Sequence, residues 1–309
     1  EKLLFKFQGG YTEQVGIKYS VPYINKKQTN GLSVNFSYSR NHELTYATLG
    51  NKRQFFLDEQ EYVVKRYGGG IAYEYRPKLY NLHALKLSYS SISVVDSVLT
   101  YNPAYLENGA AEMTYFSLSY GVKRDKRNFK SYPTKGYYYD LSITQNGLGF
   151  TSSGLNRTAM VTQLRKYWQL APRAYFSASL KGSFTFNEGP YSLYGGLGYI
   201  NNLVRGYELY VIQGEHYGLA KTQFRFALVD SKIFNINLIP SDKFKKIPLS
   251  IYLGAFFDAG YVDSKIFPEL NPLTNEYLYG TGVAIDIVSY YDMVIRTEYA
   301  VNKLGEHGL

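Results

Sequence analysis

The sequence contains no cysteine, which excludes disulfides, thiolate metal sites and thiol nucleophiles together. Histidine is scarce, with only His42, His83, His216 and His307, and no Gly-x-Ser-x-Gly elbow occurs. Both absences argue against a hydrolase. No apolar stretch approaches the roughly 18 residues that a membrane-crossing helix needs; the best run is Ile251 to Phe257. A helical membrane protein is therefore disfavoured. No leader pattern opens the chain, and that places it in no compartment.

What is abundant is tyrosine. The 309 residues hold 34 Tyr and 18 Phe but one Trp. Tyr has an apolar ring and a polar tip, so it suits a surface that meets lipid and headgroup, although soluble strands favour it too. The net charge is +9. Such a balance could attract anionic headgroups or an acidic substrate, but charged loop tips at the rims of a barrel are the simpler account.

The organising pattern is a period of two from end to end. Val15, Ile17, Tyr19 and Val21 alternate with Gly16, Lys18 and Ser20; Leu32, Val34, Phe36 and Tyr38 alternate with Ser33, Asn35, Ser37 and Ser39. The theme returns near residues 85–90, 116–121, 137–144, 176–187, 224–228, 249–257, 283–287 and 295–301. A soluble sandwich can alternate in this way. The membrane reading is favoured by strands longer than the usual five or six residues and by a polar face of small residues. Aromatics at strand ends, as in Tyr137-Tyr138-Tyr139 and Tyr290-Tyr291, fit interfacial girdles. Tight links such as Leu170-Ala171-Pro172-Arg173 alternate with long ones at 102–111, 189–215 and 263–275, as in an outer-membrane barrel. The fold expected is all-β, an antiparallel transmembrane β-barrel in one domain over residues 1–309, with about thirteen strands. Bacterial single-chain barrels usually have an even number, so the end strands are expected to be incomplete.

The sharpest local signal is Val204-Arg205-Gly206-Tyr207 in the longest loop, followed about fifty residues later by Asp258-Ala259-Gly260. Leu249, Ile251, Leu253, Ala255 and Phe257 share one parity. Asp258 therefore shares the lumenal face with Gly254 and Gly260. A buried carboxylate needs a partner, and a loop-borne guanidinium can bind it bidentately. An Arg205–Asp258 contact inside the barrel is expected, with Gly254 and Gly260 leaving room for the loop. Asp140, Asp286 and Glu298 also fall at lumenal parity, and Arg296 and Glu298 are expected to pair.

The Arg-Gly-aromatic loop with a later Asp-x-Gly strand resembles the outer-membrane assembly superfamily of BamA, TamA and the two-partner-secretion transporters. A third segment agrees: Asp125 and Arg127, then Pro133 and Gly136, similar to the family's Asp-x-Arg and Pro-x-x-Gly before a strand. The matches span residues 125–260, and the Tyr-rich wording is most similar to members from Bacteroidetes-type bacteria. The resemblance implies sixteen strands in the full protein, with this loop between the eleventh and twelfth. Residues 295–301 would then be strand fifteen and His307-Gly308-Leu309 the start of the last. The first strand or two, and periplasmic repeat domains, would lie upstream of Glu1. Gln223 departs from relatives that carry Glu at that place, which puts more of the burden on Asp258.

The function implied is assembly of outer-membrane proteins through a lateral strand seam. Unfolded barrel proteins would be the clients and outer-membrane lipids the surroundings. Accessory lipoproteins are possible partners; no nucleic acid, metal, cofactor or catalytic residue is implied. A dedicated protein-translocating barrel and the anchor of a larger protein remain open from sequence, with a passive porin or barrel enzyme further off.

Overall fold

The computed structural model describes residues 1–235, 246–265, 268–290 and 293–308. The chain begins with strands β1 (Lys2–Gln8), β2 (Thr12–Val21) and β3 (Asn30–Asn41). A separate hairpin follows, β4 (Glu43–Leu49) and β5 (Lys52–Leu57). Then come β6 (Val64–Lys78), β7 (Asn81–Val94), a short helix α1 (Asp96–Tyr101), β8 (Glu112–Asp125) and β9 (Gly136–Asn146). Next are β10 (Arg157–Ala171), β11 (Ala174–Thr185) and a two-strand ladder of β12 (Gly195–Leu197) with β13 (Ile212–Gly214). The chain closes with β14 (His216–Asn235), β15 (Lys246–Asp263), β16 (Leu278–Val288), β17 (Val294–Asn302) and β18 (His307–Gly308).

All but the two small ladders join one antiparallel sheet of 14 strands, each paired with its neighbour in the meander, with β1 and β18 as its outer members. The count exceeds the thirteen expected. Alternation is weakest where it matters for counting, as in β6, whose middle is Gly68-Gly69-Gly70. The sheet curls around a lumen, because groups far apart in strand order meet across it. Tyr132, between β8 and β9, donates to Asp286 on β16 at 2.6 Å, and Asn271, after β15, donates to the Thr48 carbonyl on β4 at 2.8 Å.

The two faces are inverted relative to a protein in water. On β16, Val283 and Ile285 are 53% and 48% exposed while Ala284 and Asp286 are 2% and 1%. Large apolar groups outside and polar groups inside suit a lipid surround and would be an aggregation hazard in water. Eleven residues of β16 extend roughly 36 Å, and a tilt of about 45° brings that close to the ~25 Å apolar band of outer-membrane barrels.

Links alternate in length as the sequence suggested. Pro172-Arg173 turn β10 into β11 at one end, while 30 residues separate β11 from β14 at the other. The long-loop end is capped by its own small core, in which Leu44, Val63, Val98, Leu106, Met113 and Tyr191 are buried together. Period-two reasoning could not foresee α1 or the β4–β5 hairpin within it. His83 lies within β7 and bonds the Tyr120 hydroxyl at 2.8 Å. Of the expected girdle pairs, Tyr137 and Tyr139 point outward with the lipid-facing parity of β9. Tyr291, residues 266 and 267 of the long 263–275 link, and Leu309 lie outside the described residues.

A cation at the middle of the outward face of β16 should be poorly tolerated. Val283→Arg is expected to lower folding stability by roughly 2–4 kcal/mol, read as a shifted urea midpoint in liposomes. An unchanged midpoint would mean that this face does not meet lipid.

Candidate functional site

The loop between β11 and β14 enters the lumen instead of standing out from the rim. Its apolar residues Leu197, Val204, Tyr207 and Ile212 are buried against Tyr217, Leu219, Val262 and Leu278 of the wall. This apolar packing places Arg205 at the lumenal face of β15. There its guanidinium grips Asp258 bidentately, Nε to Oδ2 at 2.8 Å and Nη2 to Oδ1 at 2.6 Å. The Arg205 backbone N–H adds a third bond to Asp258 at 3.2 Å. Asp258 is wholly buried and the Arg205 side chain nearly so. Beneath the guanidinium lies Phe256, its ring centre 3.6 Å from Cζ, a desolvated cation–π contact of about 2 kcal/mol.

The remaining partners were not foreseen. Glu298 on β17 accepts from Arg205 Nη1 at 2.8 Å, and Lys221 on β14 sits 3.3 Å from Asp258. Arg296 and Glu298 pair as expected, at 3.8 Å, and Arg296 is bound more closely to Asp286, at 2.6 and 2.9 Å. Three cations, Arg205, Lys221 and Arg296, thus face three carboxylates, Asp258, Glu298 and Asp286, across the four strands β14 to β17. Glu298 is thus the second carboxylate on Arg205. Among the described residues Gln223 makes no bond to Arg205, and its Nε2 has no partner.

Close approach explains two glycines. A Cβ at Gly260 would lie 2.6 Å from Leu197 and 2.7 Å from Val204, both in the inward loop. At Gly280 on β16 it would collide with the Arg205 carbonyl oxygen. Gly254, expected to make room for the loop, instead faces Gln223 and the wall. Gly206 takes φ +93°, a region costly for residues with a side chain, and its carbonyl accepts from Asn302 at 2.7 Å.

A model of the Omp85 superfamily domain matches residues 1–302. The chain belongs to the Omp85 superfamily. Its fold is similar to that of BamA from Haemophilus ducreyi lacking POTRA domains 1-3, with a TM-score of 0.64 at 15% identity, covering 96% of this chain and 62% of that one. CdiB from Escherichia coli is similar with a TM-score of 0.55 at 10% identity, covering 94% of this chain and 49% of that one. The chain therefore spans less than two thirds of either structure. No curated protein sequence matches it. As an Omp85 barrel it is an integral outer-membrane domain.

The second motif of this Omp85 barrel builds the turn between β8 and β9. Asp125 and Arg127 form a bidentate pair at 2.9 and 2.8 Å. Gly136 turns the chain back at φ +108°. Between them the segment dips into the lumen from the short-turn end. The Pro133 carbonyl accepts from Arg225 on β14 at 2.8 Å, and the Arg225 guanidinium lies 4.6 Å from the Tyr132 ring centre. Tyr132 also stacks on Tyr252 of β15 at 5.0 Å while donating to Asp286. Pro133 and Gly136 were flagged by the sequence; the reach of Tyr132 to Asp286 was not.

Three tests follow from this geometry. Removing one partner from a buried ion pair costs about 3–5 kcal/mol, so Arg205→Ala should lower the urea midpoint accordingly. A double-mutant cycle should find strong coupling of Arg205 with Asp258 and none with Gln223; comparable coupling to both would contradict the contacts. Tyr132→Phe, which removes one hydrogen bond to a charged group, should cost about 1.5–3 kcal/mol by the same titration.

Proposed function

We propose that this barrel is the membrane domain of a factor that inserts outer-membrane β-barrel proteins through a lateral strand seam. The observation that carries the reading is the inward loop, whose Arg205 is fastened to Asp258 and Glu298 in a lumen that the loop partly fills. Omp85 membership over residues 1–302 supports a barrel that handles protein substrates.

The work requires no reacting group. In lipid each unmade backbone hydrogen bond costs several kcal/mol, and a strand edge offered by the barrel would remove that cost for a client strand by strand, as in β-augmentation. The internal network would hold the wall β14 to β17 in register while the seam changes partners. Unfolded barrel proteins are the clients on this reading, lipids the solvent, and accessory lipoproteins candidate partners. Two of the three lumenal carboxylates are committed to ion pairs, Asp286 to Arg296 and Glu298 to Arg205.

The likeness in fold to CdiB favours a second reading, a barrel that translocates one dedicated protein. Depleting the full-length protein in its source cell and quantifying the outer-membrane proteome separates the two. General insertion predicts that many unrelated barrels fall together. Loss of one secreted or surface protein alone would replace it with dedicated transport.

A further inference from the structure

Mid-lumen, between the inward loop and the inward turn, lies a cavity of about 340 Å³. Ile200, Asn201 and Arg205 bound it from the loop side, and Lys130 to Pro133 from the turn side. Eight of its lining residues are Lys or Arg, and among the described residues none of the lining is Asp or Glu. Four of the eight already have carboxylate partners: Arg127, Arg205, Lys221 and Arg296. The other four, Lys130, Arg165, Lys181 and Arg225, have none within ion-pair distance among the described residues.

Two of these four donate to neutral groups. Lys181 donates to the Asn202 side-chain oxygen at 2.6 Å, and Arg225 donates to the Pro133 carbonyl. Asp140, the lumenal carboxylate on β9 opposite Gln163, forms no ion pair with Arg165 or Lys181. Two side chains of the lining are also more than nine-tenths buried and under-used. Arg225 is 3% exposed and Gln223 9%; Arg225 Nε and Gln223 Nε2 have no partner among the described residues, but both atoms are sealed in the wall, so the cavity meets the rest of the Arg225 guanidinium. Like charges that line one cavity repel.

We propose that this cavity is a binding site for a phosphate-type oxyanion, held by Arg165, Lys181 and Arg225 with Gln223 at its wall. The Arg guanidiniums offer paired N–H groups that match phosphate oxygens, and the Lys ammonium adds a point charge. A dianion neutralises two of the four surplus cations, where a monocarboxylate neutralises one. The volume is about ten times the ~30 Å³ share of one water, so a phosphate or diphosphate fits with part of its hydration. The site would bridge the loop and the turn, since Arg225 already bonds the turn and Lys181 the loop. It is independent of whether the barrel inserts or translocates proteins.

The test uses the full-length protein in phosphatidylcholine nanodiscs, titrated with inorganic phosphate and pyrophosphate by calorimetry, with acetate as the control anion. Saturable binding of pyrophosphate, stronger than acetate, is expected. Arg165→Gln with Lys181→Gln removes two charged donors, each worth about tenfold, and should weaken it about a hundredfold. Lys86→Gln, on the opposite parity to Leu85 and Leu87 and outside the cavity, should leave it unchanged. If soluble anions fail but phosphatidylglycerol nanodiscs raise the melting temperature in a manner that requires Arg165 and Lys181, the phosphate belongs to a lipid headgroup and the site stands. Binding that is absent in both arms, or equal in the double variant, would overturn the proposal.

Discussion

A guanidinium drawn into a protein interior must be matched, and the whole arrangement of this barrel's second half follows from matching Arg205. Its bidentate grip on Asp258 requires the loop backbone to press against β16, which only Gly280 permits. The same side chain needs an aromatic floor, supplied by Phe256, and a second carboxylate, supplied by Glu298. Lys221 and Arg296 then extend the set to equal numbers of each sign. Burial of one charge is tolerable because several strands contribute to neutralising it.

How far the sequence could carry this is set by the range of each signal. Parity is local, so residues 249–257 alone were enough to put Asp258 on the lumenal face, where β15 holds it. Pairing between strands is not local. Glu298 lies 93 residues from Arg205, and nothing in the period of β17 says which carboxylate on that face meets the loop. The same limit explains the misplaced role of Gly254 and the missed one of Gly280: both face inward, and only register decides which lies under the loop. Gln223 leaves its wall position without a carboxylate, and the second carboxylate on Arg205 comes from Glu298, three strands away. The β4–β5 hairpin and α1 were invisible because short capping elements carry too few residues to establish a period.

Charge tells a similar story. A net +9 was most simply assigned to loop tips, yet eight basic side chains line a single lumenal cavity. Arg165, Lys181 and Arg225 lie on the face opposite outward residues such as Leu164, Leu180 and Phe224. What composition could not supply was their convergence, which arises only when the sheet curls.

The direction of synthesis gives the Arg205 network a temporal consequence. The loop is made before every carboxylate that will hold it: Asp258 follows by 53 residues and Glu298 by 93. Tyr132 waits longer still, with Asp286 154 residues behind it. Closing such long loops is entropically unfavourable until their ends are brought together by other contacts. The Arg205 grip therefore needs β15 and β17 in the sheet, and the Tyr132 bond needs β16. A barrel lacking β15 and β17 would carry an unmatched guanidinium that keeps its loop in water.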